Sequence, residues 1–233
     1  MAKFSFSYSR WSLWEKCPQA FKFKHLDKLP EPTSDALVKG RRVHDDIAKY
    51  VEGERQEMPK ELRLFTKMGR ALHDLDPQFK LVEKQMAFDR DKRPVSWFGA
   101  NAYFRFIWDV GVRTSIRHLD AVDWKTGKPY GSYDDQKQMF ALPAFWMNPQ
   151  LETFTGHWVY LDHGEVHTCT FNREQVFGPG GAHMADAGMN GMWAANAAMM
   201  ESDRAFRPTP SKDACRFCNF HADKGGPCQV GHR

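Results

Sequence analysis

The run Arg117-His-Leu-Asp-Ala-Val-Asp-Trp-Lys-Thr-Gly127 constrains this chain more than any other. Its apolar and aromatic content, closed by a Thr-Gly turn, predicts a β-strand. Residues two apart on a strand share a face, so Asp123 and Lys125 point one way and Trp124 the other. Upstream, Phe104-Arg-Phe-Ile-Trp-Asp-Val-Gly-Val112 reads as a neighbouring strand with Asp109 in its middle, and the short connection 113–116 makes the two an antiparallel hairpin. Two carboxylates about 4 Å apart repel by on the order of 4 kcal/mol at an effective dielectric of 20. A divalent cation removes that penalty, and hard carboxylate oxygens select Mg²⁺ or Mn²⁺.

An Asp-x-Lys on a strand is common, and the order of the features around it carries the specificity. Ser7-Tyr-Ser-Arg-Trp-Ser-Leu-Trp-Glu-Lys-Cys-Pro-Gln-Ala-Phe21 opens the chain, followed by Gly40-Arg-Arg-Val-His44, Asp109, Asp123-Trp-Lys-Thr-Gly127 and Gln136-Lys-Gln-Met-Phe140. Cys215-Arg-Phe-Cys218 and Cys228 close it. This order, over residues 7 to 228, resembles the PD-(D/E)xK nuclease superfamily, in particular its RecB-like branch and the iron–sulfur exonucleases of CRISPR adaptation and phage recombination. One position departs from the pattern: Phe140 stands where the family has Tyr, so the hydroxyl is missing.

The resemblance implies an α/β fold of restriction-endonuclease type, a central mixed sheet flanked by helices. It implies His44, Asp109, Asp123 and the Trp124 carbonyl as ligands of Mg²⁺ or Mn²⁺. Lys125 would position or deprotonate the attacking water, and Gln136 would help fix the active site or the DNA. The expected activity is metal-dependent hydrolysis of DNA, as an exonuclease at duplex ends or in single strands. A recombination or CRISPR-adaptation protein is the implied partner, and an oligomer is compatible with the pattern. The alternative is a catalytically weak, metal-stapled DNA-binding subunit of a recombination or repair complex, against which the retention of both Asp and Lys argues.

The five cysteines are Cys17, Cys169, Cys215, Cys218 and Cys228. In a reducing compartment Cys-x-x-Cys points to metal or redox chemistry rather than a disulfide. Zinc and a 4Fe–4S cluster both accept four thiolates, and spacing does not separate them. The resemblance favours the cluster, with Cys17, Cys215, Cys218 and Cys228 as ligands, joining the N-terminal helix to the C-terminal tail 205–233. Closing a loop of about 200 residues removes on the order of 5 kcal/mol of unfolded-chain entropy, a structural role. The nine residues between Cys218 and Cys228 are a longer gap than the family's, and His221 inside it is an alternative ligand. Cys169 falls in a strand-like stretch and reads as a buried thiol.

At 233 residues the chain is expected to form one nuclease domain, 1–233. No apolar run reaches the roughly 20 residues of a membrane helix. The opening residues are too polar for a signal peptide, so the expectation is the cytoplasm of a bacterial or phage-infected cell. No Gly-x-x-x-x-Gly-Lys-Ser/Thr is present, which excludes an ATP-driven helicase in this chain. The net charge of +4 permits nucleic-acid binding without demanding it. Basic residues nevertheless gather around the motifs: Lys22, Lys24, His25, Lys28, Arg41, Arg42, Arg113, Arg117 and Lys128.

The pattern predicts helices near 9–24, 37–52, 59–74, 132–147 and 181–204, with strands at 80–89, 104–112, 117–125, 151–161 and 164–171. Trp11 and Trp14 share an apolar stripe with Tyr8, Cys17 and Phe21 and read as core. The last helix, with Met184, Met189, Met192, Trp193 and Met199, also reads as a core element.

Overall fold

A computed structural model describes residues 5, 7–32, 34–129, 134–177 and 206–231. The elements run α1 (Tyr8–Lys16), α2 (Pro18–Phe21), α3 (Asp35–Glu52), α4 (Thr66–Asp74), β1 (Lys80–Phe88), β2 (Pro94–Val95), β3 (Phe104–Arg113), β4 (His118–Lys125), α5 (Asp134–Met147), β5 (Thr153–Tyr160), β6 (Glu165–Asn172), α6 (Arg173–Phe177) and α7 (Lys212–Arg216). The helix expected at 181–204 lies outside the described residues. No helix among them is long and apolar enough to cross a membrane. The chain divides into two compact units, Met1–Ser34 with Asn190–Arg233, and Asp35–Met189.

The larger unit is built on a six-stranded sheet of order β2-β1-β3-β4-β5-β6. Every neighbouring pair is antiparallel except β4 with β5, which run parallel from His118↔Thr153 to Lys125↔Tyr160. A parallel pair needs a crossover, and α5 supplies it. The sheet is therefore mixed, as expected, with α3 and α4 before the strands and α5 between them. On α3 the buried residues Val43, Ile47, Tyr50 and Val51 recur at helical spacing and pack with Val110, Val122, Trp124 and Val159 from three strands. Gly53 ends the helix at φ +84°, a conformation open to glycine without a Cβ penalty. α5 is buried on most sides, and Phe140 meets Phe106 and Trp158 at ring-centroid distances of 5.1 and 5.3 Å. The position that lacks the family's hydroxyl is thus filled as apolar core.

The helix expected at 9–24 is interrupted. Cys17 adopts an extended conformation, φ −166° and ψ 106°, and Pro18 starts a separate helix. A residue before proline is driven out of the helical region, so the Cys-Pro pair itself makes the break. In the smaller unit Trp14, Phe21 and Phe206 form a core, with Trp14 edge-on to both phenyl rings. Trp11 is only half-buried and packs on Tyr8 at 6.0 Å. The segment expected to be helical over 59–74 starts as a 3₁₀ turn, Lys60–Phe65, and becomes α-helical at Thr66.

Candidate active site

Asp109 occupies the point where three strands stop pairing regularly. β3 and β4 pair from Arg113↔Leu119 to Val110↔Val122 and no further, so Asp109 and Asp123 stand just past the last rung. β1 and β3 pair from Lys80↔Val112 to Phe88↔Phe104 with one position left out, Glu83 opposite Asp109. β4 meanwhile stays hydrogen-bonded to β5 through Lys125, which holds Asp123 and Lys125 in strand geometry. The break on one side and the intact ladder on the other open a notch lined by carboxylates.

Across that notch the Trp124 backbone N–H donates to Asp109 Oδ2 at 2.7 Å. The Trp124 indole turns to the opposite face and is buried against α3, as the strand alternation predicted. Lys125 Nζ lies 2.5 Å from Asp123 Oδ2 and donates to Gln136 Oε1 at 3.4 Å, tying β4 to the start of α5. From α3, His44 Nδ1 reaches to 3.3 Å from Asp109 Oδ2. His44, Asp109, Asp123, Lys125 and Gln136 thus come together. Gly40, four residues before His44, lies against Thr126: a Cβ there would make an ordinary contact at 3.5 Å with the Thr126 hydroxyl oxygen, so the Gly-x-x-x-His and Asp-x-Lys-Thr-Gly segments adjoin at this point.

Sequence reasoning missed Glu83. Among the described residues, His44, Glu83 and Asp109 are the one group of three whose ligand atoms lie within 4.8 Å of one another. In Leu81-Val-Glu-Lys-Gln-Met86 the acid reads as part of a solvated polar run. Only the register opposite Asp109 distinguishes it.

The electrostatics of the site favour a cation. Burial and the Asp109 charge push the Asp123 carboxyl up, and Lys125 compensates only in part. Glu83, exposed to solvent on its outer side, is raised to about 7 by partial burial and the Asp109 charge. For His44, burial opposes the charged form, but the hydrogen bond and charge of Asp109 outweigh it and raise the group to about 9. Burial and the neighbouring negative charge thus make Asp123 and Glu83 hold their protons more tightly than in water, and the imidazole is held as a cation beside Asp109. Oxygen donors from acids with one imidazole nitrogen suit Mg²⁺ or Mn²⁺.

Beside this set an open groove of ≈ 610 Å³ runs along α3, lined by residues that include Leu37, Gly40, Arg41, His44, Glu83 and Thr126. Arg41 is exposed there. Several of the other basic residues near the motifs form ion pairs: Arg42 with Asp46 and Glu61, both at 3.0 Å, and Lys22 and Lys24 with Asp27 and Glu31.

In the smaller unit Cys17, Cys215, Cys218 and Cys228 line one small pocket together with Gln19 and His221. Cys17 enters it from the helix break, and Cys215 and Cys218 from the end of α7. The long interval before Cys228 is folded back by a tight turn, Ala222–Lys224, with Gly225 at φ +76°. Cys228 N–H then donates to Phe220 O at 2.9 Å, and Ala222 N–H to Cys228 O at 3.1 Å. Burial and the neighbouring thiols Cys17, Cys228 and Cys215 push the Cys218 thiol up. Cys169 lies on β6 and is half-buried rather than buried, because its strand is the outer edge of the sheet.

The sequence profile of the PD-(D/E)XK nuclease superfamily matches residues 5–222. No curated protein matches. Among solved structures, SSO0001 is 11% identical with a TM-score of 0.49, the match covering 100% of this chain and 89% of that one. A protein from Eubacterium rectale named as a candidate exonuclease is 12% identical with a TM-score of 0.47, covering 87% of each chain.

Proposed function

Because this chain belongs to the PD-(D/E)XK nuclease superfamily, we propose that it is a Mg²⁺- or Mn²⁺-dependent deoxyribonuclease, acting as an exonuclease at DNA ends or in single strands. One observation carries the reading: Asp109, Asp123 and Lys125 meet where β3 and β4 part, with His44 of α3 3.3 Å from Asp109. His44, Asp109, Asp123 and the Trp124 carbonyl would hold the cation. When bound, it supplies charge to stabilise the anionic phosphate during hydrolysis. Trp124 N–H fixes the rotamer of Asp109. Gln136 orients the Lys125 ammonium, which directs the attacking water and counters charge developing at phosphorus. The groove along α3, with Arg41 in it, gives a phosphodiester strand access to these groups.

In the same reading Cys17, Cys215, Cys218 and Cys228 hold a 4Fe–4S cluster with a structural role. The four thiols line one pocket, and Cys17, Cys228 and Cys215 act together on the Cys218 thiol, which supports a shared group held among them. The working unit is a single domain in the cytoplasm, acting on DNA with a recombination or CRISPR-adaptation partner.

The test is incubation of the purified protein with end-labelled single- and double-stranded DNA in Mg²⁺, Mn²⁺ or chelator. Metal-dependent shortening from an end is expected. Asp109→Ala and Asp123→Ala should abolish it while DNA binding persists, because binding rests on dispersed phosphate contacts. Undiminished cleavage in chelator would overturn the proposal.

A further inference from the structure

Glu83 breaks the regularity of β1. Its φ is +44°, the left-handed region, which a residue with a Cβ enters only at an energetic cost. The distortion coincides with the one missing pair in the β1–β3 ladder, and the residue missing its partner on β3 is Asp109. A regular strand would place residues 82 and 84 on one face and 83 on the other, in register with its neighbours. The turned backbone instead accompanies a placement in which the Glu83 carboxylate joins Asp109 and His44, all within 4.8 Å. Two acids gathered against their mutual repulsion, at a backbone position that is itself unfavourable, indicate a job for the side chain rather than for the strand.

We propose that Glu83 is a ligand of the divalent cation, forming with His44 and Asp109 a set of two carboxylates and one imidazole on the groove side of Asp109. This rests on the nuclease reading above. Glu83 and His44 both line the groove, so a cation held there faces an incoming strand directly, beside Arg41 and Thr126. The imidazole nitrogen makes this set better matched to Mn²⁺ than to Mg²⁺, which prefers oxygen donors alone.

The experiment is Mn²⁺ titration of the full chain, read by loss of the free-ion magnetic resonance signal, with thermal melting in chelator alongside. Glu83→Gln should weaken Mn²⁺ binding at least tenfold. Glu83→Gly should weaken it equally while melting no lower than wild type without metal, because glycine accepts φ +44° freely. Wild-type affinity in Glu83→Gln overturns the proposal. So does a metal-free Glu83→Gly protein that melts several degrees lower, which would make Glu83 a structural residue. Asp109→Asn is the reference: Mn²⁺ binding lost there but kept in Glu83→Gln removes Glu83 alone, whereas binding kept in both removes the metal reading beneath it.

Discussion

Replacing Lys125 by methionine separates metal binding from chemistry. The side chain keeps its length and apolar stem and loses only the ammonium. Lys125 and Asp123 are mostly buried, at 25% and 13% side-chain exposure, and 2.5 Å apart. One expectation is that Asp123, stripped of its partner, holds metal less well. The opposing effect is larger: a cation held by Asp123 would share that carboxylate with the ammonium 2.5 Å away, and a divalent and a unit charge about 5 Å apart repel by on the order of 7 kcal/mol at an effective dielectric of 20. Removing the ammonium relieves that repulsion and frees Asp123, so Mn²⁺ affinity should hold or rise. The chemical step should suffer instead. Losing a preorganised charged donor costs about 10²- to 10³-fold in kcat, about 3–4 kcal/mol. The assay is single-turnover cleavage of end-labelled DNA across a Mn²⁺ series, with Mn²⁺ binding measured separately. Rate restored by excess Mn²⁺ would show that Lys125 only props Asp123, and the catalytic assignment would fail.

Further outcomes follow from the same structure. His44 is raised to about 9, so its contribution to metal-free stability is complete below its unfolded value of 6.5 and is lost as pH rises through 9. Melting in chelator should therefore fall between pH 7 and pH 9, whereas Mg²⁺ affinity should rise over the same window as the imidazole proton is displaced; a flat profile of both would contradict the His44–Asp109 pairing. Gly156→Val places a Cβ 2.6 Å from the buried Trp158 ring. Overpacking of that kind costs about 1–3 kcal/mol, and melting should drop by about 2–4 °C for each kcal/mol, with Mn²⁺ affinity unchanged. Protein purified without oxygen should be brown, and serine at Cys17, Cys215, Cys218 or Cys228 should bleach it while Cys169→Ser keeps the colour. A colourless protein with one bound zinc would replace the cluster.

Much of the site was legible because its parts are local. Strand alternation alone put Asp123 and Lys125 on one face and Trp124 on the other, and the spacing of Asp109 from them fits one hairpin. Proline chemistry also lies in adjacent residues: Cys17-Pro18 ends the first helix, even though the apolar stripe runs on through it to Phe21. What the chain order left open was register. Whether Glu83 faces Asp109 depends on how β1 aligns with β3 across more than twenty residues, and a slip of one would turn it to the other face. No local pattern marks a left-handed residue inside a strand. The same holds for Cys228: ten positions beyond Cys218 in sequence, it returns to the pocket only because Gly225 reverses the backbone and Phe220 accepts its N–H. Residue identities and short-range geometry were determined by the sequence; the third carboxylate and the closure of the cysteine pocket were decided by tertiary pairing, because hydrogen bonds between distant segments fix which side chains can meet.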